Sequence, residues 1–272
     1  MLPIIKFQLF NQVLTLKSYD TFIVISIITG LILSFLVLKK YGLFSKTILS
    51  IYFFIAISFI VGARLLNYIL QYPKYKQAEI SLFTLEFGYF SLYGGIILSF
   101  IVLLLLLNLK KLDILDILDK LTLPFLFSFF IMKIGCYLNG CCYGKSTKSW
   151  FAVPLPINQQ ATLTNNPLVS SIFGKLDIRV YPTQFMEGFG AVLIIIIILI
   201  IRKKLIKGQI FIVSAGLFSL LRLVVLSYRQ LPYSDFVLNY FYPGLYSFII
   251  ITAVIGFVII NYFSNSNIDS GT

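Results

Sequence analysis

Long, almost uninterrupted runs of apolar residues dominate this chain, separated by short clusters of Lys, Asp, Gly and Pro. A bilayer-crossing helix needs roughly 17–25 such residues. The pattern predicts seven spans, at about 19–38, 46–70, 85–107, 115–137, 183–201, 209–226 and 236–263. The third is short if it opens at Tyr93 and reaches full length only from near Leu85. The fourth runs into a Gly-rich turn, so its helix is expected to break near Gly140. From there to about Val180 the chain is polar and irregular, with Trp150, Pro154, Pro156 and Pro167, which reads as a periplasmic insertion. The first twenty residues lack a continuous apolar core followed by small residues, so no cleavable signal peptide is expected. They read instead as an amphipathic segment on the outer face. The expected fold is all-α: a polytopic membrane protein of about seven helices forming one membrane-embedded domain over residues 1–272.

Composition agrees. Hydrophobic residues make up 59% of the chain and charged residues 12%, against about 25% charged in soluble domains; mean hydropathy is +0.95. Lys39, Lys40, Lys46, Lys110, Lys111, Lys120, Arg202, Lys203, Lys204 and Lys207 flank the short loops of one side. Short loops rich in Lys and Arg stay in the cytoplasm, which puts the N-terminus outside and the C-terminus inside a bacterial inner membrane. The formal net charge of +12 is spread along loop edges. It suits anionic lipid headgroups rather than nucleic acid.

Charges inside apolar spans are costly and usually face a polar cavity. Arg64, Lys133, Glu187 and Arg222 are of this kind. Three are cations, which points to an anionic group, and the abundant one in a bilayer is a phospholipid phosphate. Arg222 has an apolar turn on each side and cannot easily snorkel; Arg229 follows seven residues on, on the same face. A guanidinium grips phosphate oxygens in bidentate fashion. Arg64 follows the small Gly62 and Ala63 and shares a face with Asn67 and Tyr68, although it could also snorkel to the interface. Lys133 opens a segment with Gly135, Asn139, Gly140 and Gly144, where backbone can approach a ligand. Glu187 follows Pro182, Thr183 and Gln184 near a helix start; it serves either the helix dipole or the pocket cations. Tyr93 precedes Gly94 and Gly95.

Cys136, Cys141 and Cys142 invite comparison with a metal site. Zinc usually takes four protein ligands in a structural site, and this chain has three Cys and no His. No metal and no cofactor are therefore expected. A Cys136–Cys141 disulfide and a role as small buried hydrophobes both remain open.

Taken in order, Ser18-Tyr19, Gly62-Ala63-Arg64, Tyr93-Gly94-Gly95, the Lys133–Lys145 segment, Pro182-Thr183-Gln184 with Glu187, and the Arg222–Arg229 helix resemble the bacterial prolipoprotein diacylglyceryl transferase family. The most specific part is Met132-Lys133-Ile134-Gly135-Cys136-Tyr137-Leu138-Asn139-Gly140-Cys141, where the family commonly reads Gly-Arg-x-Gly-Asn-Phe-x-Asn-Gly-Glu. The ending Cys141-Cys142-Tyr143-Gly144-Lys145 looks like a variant branch of that family. Arg64, Asn139, Gly144, Glu187 and Arg222 match. Tyr93 stands where the family has His, Lys133 where it has Arg, Cys136 and Cys141 where it has Asn and Glu, and Leu226 where a carboxylate is expected.

The resemblance implies transfer of a diacylglyceryl group from phosphatidylglycerol to the lipobox cysteine thiol in the signal-peptide region of a preprolipoprotein. Arg222, Lys133, Tyr93 and Glu187 are the implied catalytic residues; Tyr19, Arg64, Asn139, Gly144, Gly94 and Gly95 are the implied substrate-binding residues. Two other readings fit the same charges: a diverged transferase with another acceptor, and a lipid-binding or transport protein without chemistry.

Overall fold

The computed structural model describes residues 4–9, 12–70, 72–77, 91–155, 178–230 and 236–269. Among them, the helices long and apolar enough to cross a membrane are Ser18–Lys40, Ser45–Ile69, Ile114–Asn139, Thr183–Ile201, Gln209–Leu226 and Val237–Tyr262, with a shorter apolar helix at Tyr93–Leu109. The protein is an all-α, multi-pass membrane protein. Large apolar side chains such as Ile28, Phe53, Leu105, Ile200, Phe248 and Ile259 point outward. Ser26, Ser58, Asn67, Thr122 and Ser219 are buried. Lipid favours this distribution, because it solvates apolar side chains and leaves polar groups to find partners inside.

Two compact units are present, Met1–Ser34 with Leu118–Thr272, and Phe35–Ile117. The first opens with an antiparallel hairpin of β1 (Ile4–Leu9) and β2 (Gln12–Lys17), in the register Ile4↔Lys17 to Leu9↔Gln12. The amphipathic character of this segment thus has a period of two rather than that of a helix: Lys6 and Gln8 alternate with Ile5, Phe7 and Leu9. Helix α1 (Ser18–Lys40) follows directly. It meets α5 (Ile114–Asn139) through small residues, with Ser26 Oγ donating to Ser128 O at 2.7 Å and Gly135 seated on Phe22.

Helices α6 (Thr183–Ile201) and α7 (Gln209–Leu226) build a core with α5 from Leu126, Ala191, Ile194 and Ile198, flanked by Phe129, Leu217, Phe218 and Leu221. Asp119 fixes the start of α7: its carboxylate accepts from Gly208 N at 2.6 Å and Phe211 N at 2.7 Å, satisfying orphan donors of the helix N-terminus. Helix α8 (Tyr242–Asp269) follows a π-helical turn at Val237–Phe241 and packs along α7, with Gly216 against Ala253. The expected insertion is described at 140–155 and 178–180. There β3 (Val153–Pro154) pairs with β4 (Arg179–Val180).

The second unit is built on α2 (Ser45–Leu70) and α4 (Leu92–Leu109), packed along their lengths; α3 (Tyr72–Gln77) lies between them in sequence. Gly62 and Gly94 face each other: a Cβ on either would collide with the carbonyl oxygen of the other. The expected start of this span at residue 85 lies outside the described residues; the described helix begins at Leu92.

Candidate functional site

The first unit gathers its intramembrane charges at one point. Glu187 sits in the second turn of α6, with its side chain 2% exposed. Its Oε2 pairs with Lys133 Nζ from α5, and its Oε1 with Arg222 Nη1 from α7. Arg229, just beyond the end of α7, adds a third pair to Oε1 at 2.9 Å. Gly188 makes the close approach possible, since a Cβ there would stand 3.3 Å from Lys133 Cβ. Aromatic faces hold the cations from behind: Lys133 Nζ lies 5.0 Å from the Phe129 ring centre, and Arg222 Nε donates to Tyr246 Oη at 3.3 Å.

Among the described residues, three cations therefore share one carboxylate. The buried Nε of Arg229 has no hydrogen-bond partner among the described residues. A buried unpaired N–H is uncommon and costly. Here it lies in a positive field, so an anionic oxygen would satisfy it.

The turn after α5 is held rigidly beside this cluster. Gly140 (φ 73°) reverses the chain in the left-handed region, and Cys142 (φ 59°) shares that conformation. Gln184 Nε2 donates to Cys141 O at 2.6 Å, and Thr183 Oγ1 to Cys142 O at 2.7 Å. These two residues open α6, so the turn and Glu187 are positioned together. Gly144 is packed against Tyr228 O, Tyr181 and Thr183, leaving no room for a side chain. The Cys142 thiol, although its residue is exposed, is held far below its ordinary range by hydrogen bonds from Cys136 and then Cys141, with Lys133 and Arg229 adding attraction against partial desolvation. The Cys141 thiol is pushed up: its bond to Cys136 lowers it, but the bond to Cys142 and burial outweigh that. Cys141 Sγ also donates to the Cys136 carbonyl oxygen at 3.6 Å.

A model of the prolipoprotein diacylglyceryl transferase family matches residues 5–260. The chain belongs to this family. Relatives named phosphatidylglycerol–prolipoprotein diacylglyceryl transferase include one from Clostridium tetani, 29% identical over 222 residues that cover 81% of this chain and 83% of the relative. Another, from Staphylococcus haemolyticus, is 25% identical over 198 residues, or 73% of this chain and 67% of the relative.

In this diacylglyceryl transferase relative, the sequence-derived site residues separate into groups. Lys133, Glu187 and Arg222 meet directly. Asn139 ends α5 and its side chain hydrogen-bonds Cys141; Tyr19 stands at the start of α1, close enough to the three cysteines to interact electrostatically. Arg64, Tyr93, Gly94 and Gly95 lie in the other unit. There Arg64 is buried 5.3 Å from the Tyr75 ring centre, and Tyr75 Oη donates to Asn67 Oδ1 at 2.7 Å. Tyr93 is exposed in the first turn of α4. Gly95 is packed on Phe59, as Gly94 is on Gly62. Two members of the charge cluster lay outside the expected set. Arg229 had a signal, its seven-residue spacing from Arg222. Tyr246 had none, because tyrosines are common at both membrane interfaces.

Proposed function

We propose that this protein transfers the diacylglyceryl group of phosphatidylglycerol to the lipobox cysteine thiol of a preprolipoprotein, with residues 1–272 acting as one membrane-embedded domain. The observation that carries this reading is the convergence of Lys133, Arg222 and Arg229 on Glu187, with a guanidinium N–H of Arg229 still open. A phosphodiester headgroup carries one negative charge. When the thiolate attacks the glyceryl carbon, the carbon–oxygen bond breaks and the pair of electrons leaves with the phosphate. The departing glycerol phosphate is a monoester of nearly two negative charges. Cations fixed where that charge develops lower the barrier more than they stabilise the bound substrate.

In this reading Arg222 and Arg229 grip the phosphate oxygens, Lys133 supplies a point charge, and Glu187 holds all three in place. Asn139 and Gly144 border the site through the turn after α5; Tyr19, Arg64, Gly94 and Gly95 are assigned to substrate binding by their match to the family pattern. Tyr93 occupies the family's His position. The Lys-rich short loops favour the N-terminus outside and the C-terminus in the cytoplasm. A bacterium depleted of its own transferase tests the reading. Expression of this chain should restore the diacylglyceryl form of a reporter lipoprotein, and Arg222→Ala should not. Membrane-inserted wild-type protein that leaves the reporter unmodified would overturn it.

A further inference from the structure

The sulfurs of Cys136, Cys141 and Cys142 all lie within 4.8 Å of one another. Cys136 comes from the last turns of α5, and the other two from the turn that follows. Four tetrahedral bonds of about 2.3 Å put thiolates about 3.8 Å apart. Each sulfur would thus have to move by well under an ångström to close on a single ion. The backbone is already set for this. Cys142 holds a left-handed conformation that non-glycine residues rarely adopt. Side chains of α6 clamp the carbonyls of both turn cysteines.

We propose that Cys136, Cys141 and Cys142 bind one Zn2+ ion whose fourth position takes the acceptor thiol. Three protein ligands and one open position are the arrangement of catalytic rather than structural zinc. The want of a fourth Cys or His, which argues against a structural site, is what this role requires. Three thiolates around a divalent ion leave one negative charge, which Lys133 and Arg229 beside Cys142 offset.

The chemistry fills a gap in the transferase reading, on which this role rests. The chain has no His, and something must ionise the substrate thiol. A metal-coordinated thiol is deprotonated outright. On binding, the acceptor S–H proton passes to solvent and a sulfur–zinc bond forms. The sulfur then attacks the glyceryl carbon as the carbon–oxygen bond breaks, and glycerol phosphate leaves against the neighbouring cations. No redox partner is needed, because zinc keeps its oxidation state throughout.

The test uses full-length protein, purified in detergent, reduced and freed of metal. Zn2+ titration against a chromophoric chelator should show one ion per chain. Co2+ in its place should give thiolate charge-transfer absorption, which intensifies when a lipobox peptide is added and does not when the peptide carries Ser for Cys. Cys142→Ser, at an exposed position, should weaken Zn2+ binding on the order of 100-fold while melting like the metal-free wild type. The metal-free protein should then lose transfer from phosphatidylglycerol, and stoichiometric Zn2+ should restore it. Reduced wild type that binds no stoichiometric Zn2+, or binds it equally well after Cys142→Ser, overturns the site. Stoichiometric binding with a fully active metal-free protein overturns the role while leaving the transferase reading intact. Binding with the expected Co2+ response, but no transfer under any condition, refutes the transferase reading and leaves the thiol site standing.

Discussion

Replacing Glu187 by Gln isolates the electrostatic role of the charge cluster, because the side chain keeps its shape and loses only its charge. Glu187 is 2% exposed, and Lys133 is 6% exposed against its Oε2. An amide oxygen in the Oε1 position could still accept from Arg222 and Arg229. The amide nitrogen would then face the buried Lys133 ammonium, donor against donor. Removing one partner of a buried ion pair costs about 3–5 kcal/mol. The two surviving arginine bonds place the expected loss near the lower end, about 3 kcal/mol.

If the cost is concentrated at Lys133, adding Lys133→Met should relieve it. The double variant should then be more stable than the sum of the singles by about 2 kcal/mol, inside the range measured for groups in direct contact. The assay is reversible unfolding in mixed micelles, followed by helical circular dichroism, for wild type, both single variants and the double. Strict additivity, or a Glu187→Gln variant within about 0.5 kcal/mol of wild type as for an ordinary surface change, would refute the cluster as described.

Arg222→Lys should lower transfer about 100-fold, as loss of one transition-state charge contact does elsewhere, because one ammonium cannot serve Glu187, Tyr246 and phosphate together; steady-state rates with saturating lipid measure it. Lys133→Arg should keep or raise activity and Lys133→Met should lose most of it, with the loss in kcat if the charge assists the leaving phosphate and in KM if it only anchors the headgroup. Gly94→Ala should destabilise the Phe35–Ile117 unit, since the added methyl collides with the Gly62 carbonyl; accelerated hydrogen exchange confined to α2 and α4 is the expected readout. In metal-free protein, Cys142 should react with iodoacetamide below neutral pH, where an ordinary thiol of pKa about 8.5 is almost wholly protonated; mass spectrometry at several pH values would locate the label.

Much of this architecture is legible in the sequence because lipid demands continuous apolar runs. The spans at 183–201 and 209–226 coincide with their helices, and the ends of α1, α2 and α5 lie within two residues of those expected. Lys133, Glu187 and Arg222 stand out because a charge in such a run needs a reason. What the sequence hides depends on partners distant along the chain. Gly94 reads as free backbone beside Tyr93, yet its missing Cβ is taken up by the Gly62 carbonyl. Gly144 is similarly enclosed by Tyr228 and Tyr181. Arg229 looks like an interfacial arginine until the chain folds it back onto Glu187. In sequence the three cysteines leave a disulfide and small buried hydrophobes both open, because nothing in their spacing reveals the left-handed turns at Gly140 and Cys142 that bring their sulfurs together.

Transfer itself is measured by mass spectrometry of a lipobox peptide incubated with the purified protein and phosphatidylglycerol, with released glycerol phosphate quantified in the same sample. Wild-type protein should give a thioether-linked diacylglyceryl adduct on the peptide cysteine with one glycerol phosphate per adduct, and folded, membrane-inserted Arg222→Ala protein should give neither product. Equal adduct formation by wild type and Arg222→Ala, or glycerol phosphate released without any adduct, would contradict the transferase reading.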